Sequence, residues 1–184
     1  MEQTIIIFTD SGDTIVDEAT QIFDARGIVT KAELIPGAGE VLRRLHKDGY
    51  RIALVADGEW ESFQNVYREN GLGECFEAWV VSEIVGEQKP SAKMFDEAMQ
   101  KMALSDEQKA QIVMIGNNLK KDIKGANIYG ITSIWLDWSP RYFHEPEEKD
   151  EIPDYTVKTP EELYELITEL NSKKRVDSGL YTDL

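Results

Sequence analysis

The stretch Thr4-Ile5-Ile6-Ile7-Phe8-Thr9-Asp10-Ser11-Gly12-Asp13-Thr14-Ile15-Val16-Asp17 decides how the rest of the chain is read. Ile5 to Phe8 is an unbroken apolar run, the pattern of a strand buried on both faces of a parallel sheet. The run ends at Asp10, and Ser11, Gly12 and Asp13 are turn formers. Open α/β sheets bind ligands beyond the carboxyl ends of their strands, which is where Asp10 falls. Aspartate also caps the segment after a strand for structural reasons alone, so this stretch by itself leaves both roles open.

Outward from it, the same design recurs. Apolar runs at 51–56, 78–81, 112–115 and 133–136 predict four more strands, and 155–157 a last short one. Helical spacing separates them. Val41, Leu42 and Leu45 follow the Pro36-Gly37 turn. Phe63, Val66 and Tyr67 share a face before Gly71, and Ser91 caps a helix with Phe95, Ala98, Met99 and Met102 inside. Asp122, Ile123 and Ala126 precede Gly130. Thr159-Pro160-Glu161-Glu162 opens a final helix with Leu163, Leu166, Ile167 and Leu170 on its docking face. Strand and helix alternate without hairpin turns of the Asn-Gly type, which predicts an α/β fold: a doubly wound parallel sheet with helices on both faces. Residues 18–35 hold only scattered apolar points (Phe23, Ile28, Leu34), enough for a short helix and loop. The expected organisation is one domain over 1–171, with 18–35 as a minimal insertion and 172–184 as a loosely anchored tail.

Length and charge narrow the function classes. A chain of 184 residues has room for one good core. A net charge of −15 argues against nucleic acid or an anionic membrane as partner. Cys75 is the only cysteine, so no disulfide framework or thiolate metal cluster is expected. No basic leader or membrane-length apolar stretch is present, and a cytoplasmic protein is expected.

Polar groups stand beyond four of the runs: Asp10 to Asp13, Asp57, Lys89, and Asn117 to Asp122. In a doubly wound sheet these ends share one edge, so the groups converge. Clustered carboxylates repel one another unless a hard cation and a lysine offset them. That combination suits phosphoryl transfer, with a carboxylate attacking phosphorus while cations neutralise the oxygens.

With these residues in view, the chain resembles the haloacid dehalogenase (HAD) superfamily, in its phosphatase-like branch with a minimal cap. The resemblance covers residues 4 to 171. It rests on Asp10 with Thr14, on Lys89-Pro90 within Gly86-Glu87-Gln88-Lys89-Pro90, and on Gly116-Asn117-Asn118-Leu119-Lys120-Lys121-Asp122 followed by Gly125-Ala126. It implies that Asp10 is a nucleophile forming an aspartyl-phosphate and that Lys89 bridges it to the phosphoryl oxygens. It also implies a Mg²⁺ ion held by Asp10, the Gly12 carbonyl, Asn117 and Asp122, and a substrate site including Thr14, Asp57, Gly58 and Lys89. The implied substrate is phosphorylated, small or macromolecular, and a homo-oligomer is compatible with it. A receiver-type phosphoacceptor domain is excluded by order, because there the lysine comes last and here Lys89 precedes the Asn117–Asp122 motif.

Three positions depart from the family pattern. Gly12 stands where a general acid–base aspartate is usual, making Asp13 the nearest candidate for that work. Ala56 replaces a phosphate-binding hydroxyl, and the neighbouring Asp57 has the wrong sign for a phosphate. Asn117 replaces an acidic metal ligand. Two alternatives follow: a catalytically impaired relative that binds a phosphorylated ligand or partner, and a metal-independent dehalogenase-like hydrolase. With so small an insertion the site should be open, or be closed by a neighbouring subunit or by the loop at 137–153. In that loop Trp138, Arg141, Tyr142 and His144 either meet substrate or pin the loop to the surface.

Overall fold

The computed structural model describes residues 4–177. In chain order its elements are β1 (Ile6–Thr9), β2 (Ile22–Phe23), β3 (Val29–Lys31), α1 (Ala38–Lys47), β4 (Arg51–Ala56), α2 (Trp60–Glu69), β5 (Ala78–Val81), α3 (Ser82–Val85), α4 (Ala92–Lys101), β6 (Ile112–Gly116), α5 (Lys124–Tyr129), β7 (Thr132–Leu136), β8 (Tyr155–Val157) and α6 (Pro160–Asp177). Six strands form one sheet in the order β5-β4-β1-β6-β7-β8, every neighbouring pair parallel. β1 lies inside the sheet, with Phe8 opposite both Ala53 and Met114.

The continuous apolar run of β1 has a simple cause. Successive side chains point to opposite faces, and each face has its own core. Ile5 and Ile7 pack with Val41, Leu42 and Leu45 of α1, Val66 and Tyr67 of α2, and Leu163 and Ile167 of α6. Ile6 and Phe8 pack with Met94, Phe95 and Ala98 of α4 and Ala126 of α5. Neither face of the strand meets water, and its one polar side chain, Thr9 at the carboxyl end, is buried with its Oγ1 donating to Asp10 O at 2.9 Å.

Two segments differ from the expectation. Residues 18–35 form a short 3-10 turn (Glu18–Thr20) and an antiparallel hairpin of β2 and β3 rather than a helix and loop. Asp24 nucleates the turn: its Oδ1 accepts from Arg26 N at 2.8 Å and Ile28 N at 3.0 Å, and Gly27 takes the positive φ of 82°. The hairpin lies on α2, where Val29 N donates to Ser62 Oγ at 3.0 Å and Asn65 Nδ2 to Val29 O at 3.1 Å. At the other end α6 runs on to Asp177, through the first part of the segment expected to be a tail; residues 178–184 lie outside the described residues. The buried Asn171 ties α6 to the entry of β1, its Oδ1 accepting from Thr4 N at 2.9 Å and Ile5 N at 3.1 Å. Among the described residues no helix is long and apolar enough to cross a membrane.

Candidate active site

The carboxyl ends of β1, β4 and β6 open into a cleft of about 290 Å³. Asp10, Gly12, Asp57, Lys89, Asn117, Lys121 and Asp122 line its polar side, while Phe23, Val29, Phe63 and Val66 make an apolar wall from the hairpin and α2.

Asp10 leaves β1 still held by the sheet, its N–H donating to Ile115 O at 2.9 Å. The loop then folds back on Ser11, whose carbonyl accepts from the N–H groups of Thr14, Ile15 and Val16. Lys89 comes from the loop before α4. Asp57 fixes that loop by accepting from Lys89 N at 3.0 Å. Asp122 sits in a π-helical turn, Leu119–Ile123, that Asn118 caps by accepting from Lys120 N and Lys121 N. The turn can fold this tightly against β6 because Gly116 has no side chain; a Cβ there would overlap the Asp122 carboxylate.

At the centre the Lys89 ammonium contacts Asp10 Oδ1 at 2.6 Å, Asp122 Oδ1 at 2.8 Å and Val55 O at 2.7 Å, with its side chain 1% exposed. Burial alone would lower its pKa, but the charges of Asp10 and Asp122 outweigh it and the lysine stays charged. Burial pushes the Asp10 carboxyl up to about 7, with Asp122 adding to the rise and Lys89 opposing it. An ammonium has three N–H groups, and all three are taken. The N–H groups expected to bridge Asp10 to a phosphoryl oxygen are thus engaged with Asp122 and Val55 O in this structure.

Other expected site residues fall differently. Asp13 is fully buried outside the cleft lining. Ser139 Oγ donates to its Oδ2 at 2.6 Å, Arg141 Nε to the same oxygen at 2.8 Å, and an Arg141 amino group to Oδ1. Burial alone would raise its pKa, yet these bonds and the guanidinium charge hold it below the usual carboxylate range. Asp13, the expected acid–base candidate, is thus tied by these bonds to the 137–153 loop, outside the cleft lining. Its left-handed backbone, φ 50°, is one that aspartate tolerates better than most residues. Thr14, expected at the substrate, is buried with its Oγ1 3.5 Å from Asp10 Oδ2 and is not among the residues lining the cleft. Gly58 lines the cleft, but its N–H is spent on Ser82 Oγ at 2.9 Å. Asp57 has its second oxygen on Lys121 Nζ at 2.9 Å, which cancels the unfavourable sign noted from the sequence. Asn117 is buried at the cleft, and its Nδ2 has no hydrogen-bond partner.

The loop at 137–153 is pinned down. Besides the Asp13 bonds, Arg141 reaches Asp17 Oδ1 at 2.8 Å, Tyr142 donates to Glu18 Oε2 at 2.7 Å, and His144 Nδ1 pairs with Asp137 at 2.6 Å. Sequence reasoning missed Lys121, Glu18 and Ser139. Lys121 could have been found, since it adjoins Asp122 on a turn already assigned to the site; the other two carry no pattern.

The donor chemistry fits a hard divalent cation. With Asp10 ionised, Asp10 and Asp122 against Lys89 leave one buried negative charge uncompensated, and the Asn117 amide, turned over, offers an oxygen where its nitrogen is now orphaned. Among the described residues no three His, Cys, Asp or Glu side chains are grouped so as to hold a metal ion by themselves.

Residues 2–130 match the sequence profile of haloacid dehalogenase-like hydrolases. A glyceraldehyde 3-phosphate phosphatase of Methanopyrus kandleri is 30% identical over 139 residues, 73% of this chain and 57% of that protein. The crystal structure of the HAD-hydrolase YfnB from Bacillus subtilis, bound to magnesium, is similar at a TM-score of 0.64 and 27% identity, over 73% of this chain and 56% of that one. A HAD phosphatase from Thermococcus onnurineus shares the fold at 16% identity, TM-score 0.71, over 89% of this chain and 97% of that one. The chain thus spans little more than half the length of the curated relative from Methanopyrus. The profile match covers more than two thirds of the sequence and contains every strand end that builds the cleft; the chain belongs to the haloacid dehalogenase-like hydrolase family.

Proposed function

We propose that the protein hydrolyses small phosphate monoesters by way of a phosphorylated Asp10. The observation that carries this reading is the state of the Asp10 carboxylate. Lys89 fixes Oδ1 at 2.6 Å, while Oδ2 has only Thr14 Oγ1 at 3.5 Å. One oxygen is oriented and the other is free for attack, which is the condition of a positioned nucleophile. Asp10 Oδ2 bonds to phosphorus as the ester oxygen leaves; water then attacks the same phosphorus and the carboxylate is regenerated. Lys89 supplies fixed positive charge beside the oxygens that gain negative charge. Lys121, on the cleft wall, adds a second cation and takes part of the load of the hydroxyl missing at Ala56.

Mg²⁺ bound by Asp10, Asp122, Asn117 and the Gly12 carbonyl would supply Lewis-acid stabilisation of the phosphoryl charge. The cleft volume matches a small ester or the phosphorylated end of a larger molecule. The phosphatase naming of the Methanopyrus relative points the same way. The test is a panel of sugar, amino-acid and nucleoside monophosphates with Mg²⁺ or EDTA. Turnover with Mg²⁺ that disappears in Asp10→Asn is expected; turnover unchanged by that substitution, or none on any ester, contradicts the reading.

A further inference from the structure

An alkoxide leaves phosphorus far more readily when a neighbouring group protonates it, so the proposed reaction calls for a proton donor in the cleft. The residue two past Asp10 is a glycine and has none. Its backbone does not require glycine, for Gly12 is not among the positive-φ glycines. What keeps a side chain out is Glu18. A Cβ on Gly12 would overlap Glu18 Oε1 and would lie 2.7 Å from its Cδ and 3.0 Å from its Cγ. The Glu18 carboxyl fills the volume that a side chain at position 12 would enter.

The other carboxyls of the cleft have other commitments. Asp10 is the nucleophile. Asp122 is held by Lys89 and by Asn118 N, and Asp57 by Lys121 and by Lys89 N. Glu59 sits exposed at the rim. Glu18 is half-buried, and Tyr142 fixes its Oε2 at 2.7 Å. That leaves Oε1, the atom that a Cβ on Gly12 would overlap, on a side chain that lines the cleft.

We infer that Glu18 is the general acid and base of this site, reaching in from the 18–20 turn to supply the carboxyl that position 12 lacks. The inference rests on the phosphatase reading above. In the first half-reaction the Asp10–phosphorus bond forms, the ester P–O bond breaks, and the Glu18 proton passes to the departing oxygen. In the second half-reaction Glu18 carboxylate takes a proton from water as the water oxygen bonds to phosphorus, and the Asp10–phosphorus bond breaks. Alcohol and phosphate are released and both carboxyls are restored.

The test uses the full chain and two kinds of ester. Glu18→Gln keeps the side-chain volume and an oxygen for Tyr142. It should lower kcat/KM for alkyl phosphates by about 10²–10⁴-fold. It should leave kcat/KM for 2,4-dinitrophenyl phosphate, whose leaving group needs no proton, nearly unchanged, while phosphorylated protein accumulates. Gly12→Asp combined with Glu18→Ala should regain alkyl-phosphate turnover over Glu18→Ala alone, because the new side chain enters the vacated space. Equal losses on both esters, no loss on either, or no recovery in the double variant overturns the assignment. Wild-type turnover that Asp10→Asn fails to abolish overturns the phosphatase reading itself, and the two failures are told apart by which substitution is silent.

Discussion

Replacing Lys89 by methionine isolates the cation at the centre of the site. Methionine is similar in length and volume, so the cavity contribution is small. What disappears is a charge 2.6 Å from Asp10 and 2.8 Å from Asp122, on a side chain 1% exposed. Removing one partner of a buried ion pair costs about 3–5 kcal/mol, and here two carboxylates lose the same partner. Protonation of Asp10 offers partial relief, which sets the expected loss near 4 kcal/mol at pH 8 without divalent ions. The pH dependence has a definite sign. Asp10 already titrates near 7 in the folded chain, against 3.8 for a free aspartate. A carboxyl raised on folding favours the folded state at low pH, and that advantage is lost as pH rises through the folded value. Without Lys89 that value rises further, so the variant's deficit should shrink between pH 8 and pH 5 by at least about 1.4 kcal/mol, the worth of one pKa unit. Urea unfolding at several pH values, extrapolated linearly, measures this. A deficit below about 1 kcal/mol, or one that grows toward acid, would refute the electrostatic account of the site.

Two further substitutions probe what holds the cleft in shape. Arg141→Ala strips Asp13 of its guanidinium; with Asp13 fully buried but Arg141 35% exposed, the expected cost is about 3 kcal/mol at neutral pH. Because the Asp13 pKa is lowered on folding, its stabilisation is present above 3.8 and fades as pH falls through the folded value, so thermal melts of variant and wild type should converge in acid; a constant gap would contradict it. Asn171→Leu leaves two backbone N–H groups at the start of β1 without their acceptor and should cost about 1–3 kcal/mol in urea unfolding, whereas no change would show that apolar packing alone docks α6.

The sequence made much of this arrangement visible because parallel strands leave strong local traces. The runs at β1, β4 and β6 are apolar on both faces, so their ends can be located, and Asp10, Lys89 and Asp122 meet because those ends share one edge. The hairpin at 18–35 escaped notice because its strands are two and three residues long, too short for an alternating pattern, and Ile22 and Phe23 are exposed. The fate of Asp13 was hidden for another reason. Its partners Ser139 and Arg141 lie more than 120 residues away, on a loop without periodicity, and only tertiary packing brings them together. Glu18 belongs to the same case, since its bearing on position 12 is a matter of occupied volume.

The central claim is that Asp10 itself carries the phosphoryl group. Quenching the protein during turnover of a good phosphate ester, reducing it with borohydride and mapping its peptides tests this directly. An acyl phosphate is reduced to an alcohol, so the account predicts homoserine at position 10 and at no other aspartate. Substrate consumed with the Asp10 peptide left intact would contradict it.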